Sequence, residues 1–96
     1  MTAALPPSFA TDSPVPALAR LEVVARTTPE LIERVCRLLR HRGAAVEHLV
    51  VTARGDGLTT LGLTALVNGD VDLLLRQLGR LTDVRSTRCV DARAVS

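Results

Sequence analysis

The stretch Pro29-Glu-Leu-Ile-Glu-Arg-Val-Cys-Arg-Leu-Leu-Arg-His-Arg-Gly43 reads as one helix with both ends marked. Thr27 and Thr28 ahead of it offer hydroxyl caps, and Pro29 suits the first helical position, where its missing N–H costs nothing. Leu31, Ile32, Val35, Leu38 and Leu39 recur at spacings that make a single apolar face. Glu30 with Arg34, and Glu33 with Arg37, are i,i+4 pairs with the acid first, worth roughly 0.3–0.5 kcal/mol each. Arg40, His41 and Arg42 complement the negative end of the helix, and Gly43 can take the left-handed cap.

Strand-like segments flank this helix. Leu18 to Arg26 alternates, with Leu21, Val23 and Ala25 on one face and Arg20, Glu22 and Arg26 on the other. Ala44 to Ala53 is rich in β-branched and apolar residues and reads as a second strand. The helix is therefore the crossover of a β-α-β unit, and the second half of the chain repeats the order. Arg54-Gly-Asp-Gly57 marks a hairpin turn into Leu58–Val67, where Leu61, Leu63 and Ala65 oppose Thr60, Gly62 and Thr64. Asp70 can cap a second helix carrying the stripe Val71, Leu74, Leu75, Leu78 and Leu81, with Gly79 weakening its last turn. A short Arg- and Thr-rich strand from Val84 to Val90 closes the pattern at a sheet edge.

The order β-α-β-β-α-β specifies an α+β, ferredoxin-like sandwich with two helices on one face of a four-stranded antiparallel sheet. The other sheet face, with Val24, Thr60, Gly62 and Thr64, is mild enough in polarity to suggest an interface, although a Thr-rich solvated face explains it too. The expected division is a disordered N-terminal tail over 1–16, one domain over 17–91 and a frayed end over 92–96. The only aromatic residue, Phe9, falls in that tail, so the core is aliphatic. A domain of about eighty residues buries only roughly 60–65% of its unfolded surface, which makes self-association at least to a homodimer an expected source of stability.

Composition excludes several functions. The net charge is +2, every cation of the Lys/Arg class is Arg, and the charges are interspersed, with no block resembling a nucleic-acid tail. Cys36 and Cys89 form no CxxC and have no metal-ligand spacing to His41 or His48, so no metal site is expected and both thiols read as small hydrophobes in a reducing compartment. The first sixteen residues lack a secretory pattern, and nothing is long and apolar enough to span a membrane. A cytoplasmic location follows as an expectation. No nucleophile–base pair is visible, Arg26-Thr-Thr-Pro29 is no phosphate loop, and the strands have no aromatic residues on which RNA bases could stack. An electrostatic RNA contact through Arg34, Arg37, Arg40 and Arg42 is weighed against an ordinary solvated helix face.

Ala25-Arg26, Pro29-Glu30, Glu33-Arg34-Val35, Arg37 and Arg40-His41-Arg42-Gly43 resemble the ACT domain, the regulatory module of amino-acid metabolism. Val71-Asp72-Leu73-Leu74, Gln77-Leu78 and Leu81-Thr82-Asp83-Val84 match in the same register, so the resemblance covers roughly residues 18–90. Within that group the chain is most similar to the small regulatory subunits of acetolactate synthase, of the short isozyme II type. The resemblance implies a noncatalytic partner of a large subunit that carries thiamine diphosphate, Mg²⁺ and FAD and serves branched-chain amino-acid synthesis. No cofactor is expected on this chain itself. A free-standing amino-acid sensor acting on another partner is the alternative.

In valine-responsive members the effector lies between two ACT domains. An Asn and, three residues on, a Gly at the first helix start hold its head group, and an Asn-Ile pair after the helix comes from the neighbouring subunit. Those positions here are Thr27, Glu30, Ala45 and Val46, with Thr28 in the same loop. Both Asn are replaced, and Glu30 places a negative charge where a carboxylate should sit, at a cost on the order of 1–4 kcal/mol. The resemblance thus implies a valine-insensitive protein. Arg40, His41 and Arg42 are candidate contacts to the large subunit, beside the plainer account of helix-end electrostatics.

Overall fold

The computed structural model describes residues 16–94. All but the last residue of the tail expected over 1–16, and the last two positions, 95 and 96, lie outside the described residues. Element order is β1 (Ala17–Arg26), α1 (Leu31–His41), β2 (Ala44–Ala53), β3 (Leu58–Val67), α2 (Val71–Gly79) and β4 (Val84–Ala94). All three strand pairings are antiparallel and the sheet order is β2-β3-β1-β4, the ferredoxin-like arrangement read from the sequence.

The alternation of β1 and β3 is what places the core. Leu21, Val23 and Ala25 from β1 and Leu61, Leu63 and Ala65 from β3 are almost wholly buried, on the face covered by the helices. Leu31, Val35 and Leu39 of α1 and Leu74 and Leu78 of α2 close over them. Ile32, counted in the apolar stripe from sequence, is 40% exposed. One residue beyond Leu31 is turned about 100° around the helix, which carries it off the core-facing stripe.

The start of α1 differs from the expected cap. The helix begins at Leu31 with Glu30 as its N-cap, and no side chain caps it. Thr27 is used elsewhere: its N–H donates to Gly57 O (3.0 Å), and its hydroxyl bonds that of Thr59 (2.7 Å). Tying the loop to the β2–β3 hairpin displaces the local cap, and Pro29 sits in the turn before the helix rather than in its first position. The other end behaves as read. Arg42 N–H reaches Leu38 O and Leu39 O (both 3.1 Å), and Gly43 takes φ +77, where any Cβ would be strained.

Asp70 caps α2 as expected, its Oδ1 accepting from the N–H of Asp72 (2.9 Å) and Leu73 (3.4 Å), and the helix stops at Gly79. β4 runs to Ala94 rather than ending at Val90. The pairings Arg20–Asp91, Ala19–Ala92, Leu18–Arg93 and Ala17–Ala94 show why. The opening residues of β1 offer an edge whose backbone groups need partners, and a polar segment can supply them as well as an apolar one.

Candidate effector and partner surfaces

The loop Thr27–Glu30 closes the end of the sheet where β1 stops and the hairpin turns. Thr59, beneath it, is the one buried polar residue among those described. Its hydroxyl bond to the exposed Thr27 is thus shielded from water on one side only. Thr28 Oγ1 is buried close by without a hydrogen-bond partner among the described residues. These two threonines should respond oppositely to removal of the hydroxyl. Thr59→Val should lower unfolding free energy by about 1 kcal/mol, whereas Thr28→Val should leave it unchanged or raise it, as read by chemical denaturation.

Two positions at the helix start offer an anion no free N–H. Pro29 carries no N–H, and the N–H of Leu31 is engaged by Thr28 O (3.2 Å). Glu30 is exposed, with its carboxylate 3.9 Å from the Arg34 guanidinium. Ala45 and Val46, the other two expected effector positions, sit at the opposite end of the sheet. Val46 pairs with Ala65 while Ala53 pairs with Thr59, which places the two groups about 20 Å apart along β3. One chain does not bring them together.

β2 is a sheet edge ten residues long, with Glu47 its one carboxylate. Along it Val46, Val50 and Val51 are 37%, 62% and 46% exposed, and Ile32 on α1 is a further exposed aliphatic residue. An uncovered apolar edge of this kind is a template for a further strand. The other edge, β4, carries Arg85, Arg88 and Arg93.

The face of the sheet away from the helices holds Val24, Thr60, Gly62 and Thr64, all half-buried. A depression of about 180 Å³ crosses it between Val50 and Val90, with Arg20, Glu22 and His48 around Gly62. Its charges are mixed, and Glu22 is taken by Arg88 at 2.8 Å.

Arg40, His41 and Arg42 are all exposed, yet they do not line one cleft. Consecutive helical residues point about 100° apart. His41 lines a groove with Arg34, Arg37, Leu38 and Leu81, while Arg42 lines a separate cleft of about 190 Å³ with Asn68, Asp70 and Gln77. The residues missed in sequence are Arg34, Arg37 and Leu81 as neighbours of His41. The i, i+3, i+7 spacing of Arg34, Arg37 and His41 was the available signal. Among the described residues no three His, Cys, Asp or Glu side chains gather into a metal site, and no helix is long and apolar enough to cross a membrane. Cys36 and Cys89 are both free thiols.

The chain is thus a small βαββαβ module with an uncovered β2 edge and a loop at the first helix start. A model of the ACT domain matches residues 27–87, and the chain belongs to that family. It is 41% identical over 66 residues to the acetolactate synthase isozyme 2 small subunit of Escherichia coli K12, covering 68% of this chain and 76% of that protein. The isozyme 2 small subunit of Shigella flexneri matches to the same extent. Among solved structures, the ACT domain of a GTP pyrophosphokinase from Chlorobium tepidum superposes with a TM-score of 0.64 at 18% identity, over 78% of this chain and 99% of that one. That likeness speaks to the fold alone.

Proposed function

We propose that this chain is a noncatalytic accessory subunit that binds and activates the large, catalytic subunit of an acetolactate synthase in the cytoplasm. The observation carrying this reading is the 41% identity to the isozyme 2 small subunit of E. coli across most of the domain. The chemistry belongs to the large subunit with its thiamine diphosphate, Mg²⁺ and FAD. The small subunit shifts that enzyme toward its active arrangement by binding it better than the inactive one.

The working form in this reading is a homodimer joined through β2. Antiparallel pairing of two β2 edges about a twofold axis sets the start of one strand beside the end of the other. Ala45 and Val46 of the second copy then approach the Thr27–Glu30 loop of the first, which the distances within one chain forbid. The effector position so assembled holds Thr27, Thr28, Glu30, Ala45 and Val46, and it is ill suited to a valine head group.

Mixing the purified chain with its cognate large subunit should raise acetolactate formation severalfold in a saturable manner. No stimulation by a folded chain, together with thermal stabilisation of the chain alone by a free amino acid, would instead favour an independent sensor.

A further inference from the structure

Arg34, Leu38 and His41 occur at i, i+4 and i+7 and so share one flank of α1, with Arg37 beside them. This flank faces Leu81 beyond α2, and the five residues line an open groove of about 230 Å³. The floor is apolar, since Leu38 and Leu81 are half-buried and packed on the core. The rim is cationic. Arg34 Nη1 donates to Asp83 Oδ2 at 2.8 Å, which fixes that wall, but Arg34 remains nearly half exposed. Arg37 reaches only the exposed Glu33, at 3.4 Å, and His41 makes no ion pair among the described residues. No carboxylate lines the groove.

The other depressions differ in this respect. The one on the open sheet face contains Glu22 among its cations, and the cleft at the start of α2 contains Asp70 beside Arg42. Only the α1 groove of these three combines an apolar floor with charge of a single sign. It also lies on the flank of α1 opposite Ile32, so a β2-edge dimer leaves it open on both copies.

We infer that this groove receives an acidic segment of the catalytic large subunit, seating an aliphatic side chain on Leu38 and Leu81 with carboxylates against Arg37 and His41. The inference rests on the accessory-subunit reading and adds the surface and the chemistry of its partner. Arg37, which lacks a firm partner in the free chain, gains one on docking, His41 can donate a ring N–H to a carboxylate, and an apolar centre with a polar rim is how such contacts are built.

The test is a stimulation titration of the cofactor-loaded large subunit with the full chain at about 50 and about 300 mM KCl, which spans strong and weak screening. Arg37→Glu combined with His41→Glu should raise the half-stimulating concentration by about tenfold or more at low salt. The double variant should also lose most of the salt dependence. Arg93→Glu on β4 should titrate like the unaltered chain. Circular dichroism melts establish folding, and Arg37→Ala with His41→Ala, which adds no repulsion from Glu33, serves if the double Glu variant unfolds; it should still weaken half-stimulation by about threefold or more. A folded double Glu variant, or in its place the double Ala variant, within about twofold of the unaltered chain overturns the groove assignment while the accessory reading stands. Absence of stimulation by the unaltered chain overturns the accessory reading and the groove's occupant with it.

Discussion

Leu39→Ala is expected to lower the unfolding free energy by about 2–5 kcal/mol, the largest stability loss of any single truncation in α1. Leu39 is wholly buried, and it lies where α1 packs on the sheet beside Leu31 and Val35. Removing its branched end forfeits the transfer free energy of the lost methyl groups and leaves a cavity that the neighbouring strands cannot collapse into. The described core contains Leu, Val and Ala but no aromatic side chain that could swing in to refill the space. Small domains of this size have only about 5–15 kcal/mol in hand, so the variant should be partly unfolded at dilution and recover as its concentration rises, if dimerisation supplies part of the stability. Ile32→Ala is the matched control. Its side chain is 40% exposed, so the monomer should lose under about 1 kcal/mol, while the midpoint for self-association should weaken. Urea denaturation at two protein concentrations reads both; a Leu39→Ala loss below about 1 kcal/mol would contradict the packing described.

The second large effect is an absence of response. Valine should not inhibit the assembled enzyme at sub-millimolar concentration, and Glu30→Gly combined with Thr27→Asn and Ala45→Asn should create or strengthen inhibition by about two decades. Three features set that magnitude. Glu30 lies beside the helix start where a carboxylate would bind, but its side chain is 55% exposed and Arg34 is 3.9 Å away, so repulsion sits near the low end, about 1 kcal/mol. The hydroxyl of Thr27 is already committed to Thr59 at 2.7 Å and offers no amide to a ligand. Ala45 supplies no polar atom beyond its backbone. Two restored amide contacts to a charged ligand contribute about 1.5–3 kcal/mol each before the ordering cost. Inhibition of the unaltered enzyme by sub-millimolar valine would refute the blunted-site account.

Most of the architecture could be read from local pattern. Leu21, Val23 and Ala25, and likewise Leu61, Leu63 and Ala65, recur at every second position because each strand buries one face fully and leaves the other half-buried, and both strands are central in the sheet. β2 and β3 fell on their expected limits because Gly43, Gly57 and Asn68-Gly69 punctuate them, and all three glycines take positive φ. The misread elements were decided by distant partners. Thr27 and Thr28 have every local qualification to cap α1, yet Thr27 is claimed by Thr59, thirty-two residues further on. Asp91-Ala-Arg-Ala94 carries no strand signal of its own and is extended because β1 lies beside it. In the candidate surfaces, His41 and Arg42 are adjacent in the chain but line two different clefts, and Arg40, just before them on the helix, lines neither.

By itself, then, the amino-acid order determined the succession of strands and helices, the aliphatic core and the family, since each depends on spacing between near neighbours or on residue identity. The three-dimensional packing alone decided where α1 begins, how far β4 extends and which cations share a groove. Each of those depends on contacts between segments tens of residues apart, and no local periodicity encodes which backbone group or charge will find which partner across the sheet.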